Sequence, residues 1–107
     1  MVDPQNPRIG GIADALLDQE TGLEIKCHVK RDNVLTTLPL RYLIQVAGYM
    51  YLYQRKKWIL MSCCFGTDQT MSQYTVHEVT WDQVKDQWNN EWYPNIVKFI
   101  NETKWKN

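Results

Sequence analysis

A chain of 107 residues with 44% hydrophobic content suffices for one compact domain with a modest core, small enough that self-association would help its stability. Twelve basic and twelve acidic residues leave a formal net charge of zero, which excludes a globally basic nucleic-acid binder and leaves only a local patch for such contacts. No run of 18 apolar residues and no signal-like leader is present, and three cysteines do not make a disulfide framework, so a soluble, intracellular protein with reduced thiols is expected.

In chain order, residues 1–8, with Pro4 and Pro7 among polar neighbours, read as an extended arm. Ile9–Leu17 reads as a strand entering the region of Asp14, and Gly22–Val29 as the strand that returns alongside it. Lys30–Thr37 is a polar loop. Pro39 suits the first turn of a helix running to about Tyr53, with Leu40, Leu43, Ile44, Ala47 and Tyr51 on one face and Tyr42, Gln45 and Tyr49 on a different stripe. Lys57–Phe65 is apolar on both alternating faces, as in a strand buried within a sheet. Gly66–Gln69 is a turn, and Met71–Val79 a strand nearer the edge. Thr80 caps a final helix that buries Trp81, Val84, Trp88, Trp92, Ile96 and Ile100, and Pro94 kinks or splits it. The order of elements predicts an α/β domain with a mixed sheet flanked by helices.

The chemistry concentrates early. On a strand over 22–28 the pleat sends Glu24 and Lys26 to one face and Leu23 and Ile25 to the other. Asp14 lies ten residues before Glu24, enough for a turn and a return, so the two carboxylates can meet at one cation. Carboxylate oxygens suit a hard ion such as Mg²⁺ or Mn²⁺, to which Ile25 would add its backbone carbonyl. The Lys26 ammonium would orient an attacking water and offset charge at a phosphate. The plainer reading is a solvent-facing Glu24–Lys26 pair and an Asp14 that only shapes a turn.

The stretch from Ala13-Asp14 to Gly22-Leu23-Glu24-Ile25-Lys26-Cys27 resembles the PD-(D/E)xK nuclease signature, with Ala-Asp for Pro-Asp. Within that superfamily it most resembles the lambda exonuclease and YqaJ-type viral recombinase group. Tyr42 through Met50 is similar to that group's helix, in which a Gln, often with a Tyr four residues later, faces the active site; Lys57-Trp58-Ile59-Leu60 is similar to its tryptophan-led strand. The likeness spans roughly residues 10–104 and implies a restriction-endonuclease-like core. It implies a Mg²⁺- or Mn²⁺-dependent deoxyribonuclease with Asp14, Glu24 and the Ile25 carbonyl on the metal, Lys26 catalytic and Gln45 positioning the lysine or water. It further implies exonucleolytic work at a DNA end in viral-type recombination, in a homo-oligomer and beside a single-strand annealing protein.

The chain also departs from that pattern. Family members are about twice as long, with upstream helices that supply a further acid and an arginine, for which only Asp3 and Arg8 are available here. His28 replaces the usual proline, and three cysteines fall short of the four that an iron–sulfur cluster needs. Lys30, Arg31, Arg41 and the run Arg55-Lys56-Lys57 are candidates for a local DNA-binding patch, with Tyr49 beside them. Two other functions fit the same residues: a short junction-resolving or nicking endonuclease, and a non-catalytic DNA-binding or assembly subunit.

Overall fold

The computed structural model describes residues 1–28, 37–65 and 71–103; Val29, the polar loop with Lys30 and Arg31, and the turn at Gly66–Gln69 lie outside the described residues. Four strands form one sheet in the order β1 (Ala15–Leu16), β2 (Thr21–His28), β3 (Lys57–Phe65), β4 (Met71–Thr80). β2 and β3 run parallel and the outer pairs are antiparallel, giving the mixed sheet and α/β class expected. The helix α1 (Leu40–Tyr53) makes the crossover between the parallel strands, because parallel neighbours cannot be joined by a tight turn. Pro39 supplies the extended residue before it, its carbonyl accepting the N–H groups of Tyr42 and Leu43. Gln54, left-handed at φ 55°, ends it.

The strand expected over Ile9–Leu17 shrinks to Ala15–Leu16. Residues 10–13 find partners elsewhere: Tyr53 Oη accepts the N–H of Ala13 and donates to the Gly11 carbonyl, while Gly10 bridges to Val2. The arm read over residues 1–8 is accordingly docked. Asp3 is 0% exposed and accepts hydrogen bonds from the hydroxyls of Tyr51 and Tyr93 and from the N–H of Gln5. Burial alone would raise its pKa, but these donors outweigh it and hold the carboxylate below its ordinary range.

The core lies on the sheet face that carries Trp58, Leu60 and Val79, against Val46, Ala47 and Met50 of α1 and Val84, Trp88 and Trp92 beyond β4. Leu40, assigned to the buried face of α1, is instead 61% exposed, while Val46, Met50 and Leu52 are buried. The reason is that α1 touches both the sheet and the last helical stretch, so its burial follows no single stripe. The final helix is continuous but uneven: α2 (Trp81–Gln87), a π-helical turn over Trp88–Trp92, then α3 (Tyr93–Thr103). Gln83 Oε1 accepts the Thr80 N–H at its start. The wide turn ends just before Pro94, whose ring would otherwise press on the carbonyl of Asn90 one tight turn earlier. Among the described residues no helix is long and apolar enough to cross a membrane.

Candidate active site

The alternation of β2 puts Glu24 under α1, opposite Leu60 in register, with only 4% of its surface exposed. Lys26 follows on the same face, its Nζ 3.7 Å from Glu24 Oε2. Leu23 and Ile25 point to the other face, where Ile25 is exposed. The strand can start as it does because of Gly22. A Cβ there would stand 2.2 Å from the ring of Trp58, so the buried indole lies directly over a residue with no side chain.

Asp14 reaches this pair from the end of β1. The register Ala15↔Leu23 and Leu16↔Gly22, continued, would oppose Asp14 to Glu24 and then Ala13 to Ile25, but the strand pairing stops at Ala15. Asp14 Oδ2 accepts the Ile25 N–H instead, at 2.7 Å, and its carboxyl hydrogen-bonds that of Glu24. The carbonyl of a strand residue points to the same side as its N–H, so the Ile25 oxygen emerges on this edge too. On the helix side, Gln45 Nε2 donates to Tyr49 Oη at 3.2 Å, and Tyr49 stands near Glu24, where it slightly favours the charged carboxylate. Tyr42, one turn earlier, holds Lys26 Nζ over its ring at 4.7 Å, and the guanidinium of Arg41 sits at the same distance.

Burial, then the hydrogen bond with Asp14, pushes the Glu24 carboxyl up to about 7; Lys26 only partly offsets this. Asp14 moves the other way, held low by its hydrogen bonds to Glu24 and to the Ile25 N–H. Their surroundings thus push the two carboxyls apart, Glu24 towards its protonated form and Asp14 towards its charged form.

Comparison with protein-family models, curated proteins and solved structures gives no match to this chain. The site therefore speaks through its geometry. Asp14, Glu24, Lys26, Gln45 and Tyr49, separated by up to 35 residues in sequence, come together; Arg41 joins them only through Tyr42 and is otherwise exposed. Lys56 and Lys57 form exposed ion pairs with Glu20 and Glu78, and Arg55 donates to the carbonyls of Tyr53 and Asp18, so each cation of that run has a partner on the fold. The cation–π contact of Tyr42 with Lys26 was not read from the sequence, although the spacing of Tyr42, Gln45 and Tyr49 along one stripe was the signal for it.

Asp14, Glu24 and the Ile25 carbonyl offer hard oxygen donors of the kind that could hold a divalent cation such as Mg²⁺ or Mn²⁺ with water in its remaining positions. Among the described residues no group of three His, Cys, Asp or Glu side chains stands together as a metal site.

Proposed function

We propose that this chain is a Mg²⁺- or Mn²⁺-dependent deoxyribonuclease with a restriction-endonuclease-like core. The observation that carries this reading is the bond from Ile25 N–H to Asp14, which sets two carboxylates side by side with a lysine 3.7 Å from one of them. Asp14, Glu24 and the Ile25 carbonyl would hold the ion; it supplies an activated water and charge compensation at the scissile phosphate. Lys26, steadied over Tyr42, sets its ammonium against the phosphate oxygens and the attacking water. Tyr49, itself held by Gln45, fixes the Glu24 carboxylate in the orientation that ligation requires. Arg41 extends positive charge outward from Lys26 for the DNA backbone. By its resemblance to the lambda exonuclease group, the substrate is a DNA end and the setting viral-type recombination, with a homo-oligomer and an annealing protein as companions.

The decisive experiment is digestion of matched linear and closed-circular DNA with Mg²⁺, Mn²⁺ or EDTA, by the unaltered protein and by Glu24→Ala and Lys26→Ala. Metal-dependent loss of linear DNA alone, absent in both variants, supports the exonuclease. Cutting of circles replaces it with an endonuclease, and no cleavage with either metal overturns the reading in favour of a binding or assembly subunit.

A further inference from the structure

We propose that the cavity beside the carboxylates seats an unstacked nucleobase of the bound strand, a reading that rests on the nuclease assignment of the neighbouring site. The cavity, about 370 Å³, lies between α1, the docked segment over residues 8–11 and α3. That is within the size of small-molecule pockets and well above a water site. Tyr49, which stands near Glu24, and Gln45, which bonds it, also line this cavity, so the cavity adjoins the carboxylates. The remaining wall is largely apolar, with Trp88 and Ile96, and Arg8 lies at its margin with no ion-pair partner among the described residues. Apolar walls, two polar side chains and one cation suit a flat heterocycle carried on a polyanion; a free phosphate would meet Trp88 and Ile96 with nothing to offer them.

Gly48 strengthens this assignment. A glycine inside a helix costs about 1 kcal/mol relative to alanine, so its presence at the middle of α1 calls for a reason. The reason is not conformational, because its φ is not positive. Nor is it crowding, because a Cβ there would stand 3.4 Å from the Trp88 ring, an ordinary contact. What the missing side chain does is leave free the part of the cavity that Gly48 itself lines.

The test is equilibrium binding of short labelled oligonucleotides to the full chain, with Ca²⁺ in place of Mg²⁺ to hold the strand uncut. An intact terminal nucleotide is compared with an abasic one, and 2-aminopurine at the end serves as the fluorescent base. The intact end should bind about tenfold more tightly than the abasic end, the range of one stacked base. Gly48→Met should bring that ratio towards one while leaving abasic binding unchanged, and should abolish quenching of 2-aminopurine. Gly48→Ala, which the helix accommodates, should reduce the ratio partially and stands in if the methionine variant does not fold. Equal binding of intact and abasic ends, a ratio indifferent to both Gly48 variants, or no binding of any oligonucleotide overturns the proposal. A preserved ratio in a protein that cleaves nothing with Mg²⁺ or Mn²⁺ sinks the nuclease reading alone; cleavage with a ratio of one sinks the base seat alone.

Discussion

Asp14 Oδ2 and the amide of Ile25, 2.7 Å apart, stand where the next rung of the β1–β2 ladder would have been. A side chain has taken over a backbone hydrogen bond, and in doing so its carboxyl is brought against that of Glu24. Asparagine keeps an acceptor for the Ile25 N–H and removes the charge. Asp14→Asn should therefore fold with near-native stability yet lose cleavage on the order of 10²-fold or more, as expected when a group that stabilises transition-state charge is removed. Circular dichroism melts beside initial rates on linear DNA separate the two effects; an Asn variant of full activity would exclude Asp14 from the site.

Metal binding should be visible without catalysis. At 100 times its dissociation constant, Mg²⁺ should add about 2.7 kcal/mol of stability to a protein that binds it only when folded. Glu24→Gln removes a ligand and should show almost none of this shift in urea titrations at matched Mg²⁺ concentrations. Equal stabilisation of both proteins would place the ion elsewhere.

The pH dependence has a definite sign. In EDTA the folded protein holds the Glu24 proton to about 7, whereas the unfolded chain releases it near the ordinary value of 4.5. The folded state is therefore favoured fully below 4.5, loses that advantage as pH rises to about 7, and changes no further above it. Asp14, shifted down, acts in a separate window: its contribution is present above 3.8 and disappears as pH falls below that value. Urea midpoints between pH 5 and 8 should fall for the unaltered protein and stay level for Glu24→Gln. A level profile in both would mean that Glu24 titrates normally.

Two glycine-to-alanine changes should have opposite signs. Gly22→Ala drives a methyl into the buried Trp58 ring and should destabilise by about 1–3 kcal/mol, the usual cost of overpacking. Gly48→Ala meets only an ordinary contact and should stabilise by up to about 1 kcal/mol. Thermal melts of the two variants decide both.

Asp3→Ala leaves two tyrosine hydroxyls facing an empty buried space and should cost about 1–3 kcal/mol, more than Asp3→Asn, which keeps an acceptor. Denaturant titration of the pair measures it; an unchanged midpoint would mean that the docked segment contributes nothing to stability.

The elements with strong periodicity were legible in the sequence. β3 has the bounds expected for it, β4 and α1 differ from expectation by a residue, and strand alternation alone put Glu24 and Lys26 on one face. What could not be read depends on partners distant in sequence. The shortening of β1 follows from Tyr53, some forty residues away, and the burial of Asp3 from two tyrosines further still. Taken alone, Met-Val-Asp-Pro has the composition of a solvated arm. Pro94 signalled a disturbance in the last helix, but a single wide turn leaves the apolar spacing almost intact, so the π form of that disturbance was hidden.

The hydrogen bond between Tyr93 and Asp3 joins residues 90 apart, and from it the chain runs only eleven residues to Asp14. Closing so long a loop is slow compared with forming a helix or a hairpin. The consequence is one of timing. During synthesis Glu24 and Lys26 leave the ribosome long before Tyr93, so the segment leading to Asp14 can be held first by Tyr51 and Tyr53 and gains the second tyrosine hydroxyl on Asp3 only once Tyr93 has been made. The fixing of the segment that carries Asp14 is therefore completed late, after the strand that carries Glu24 and Lys26 has been made.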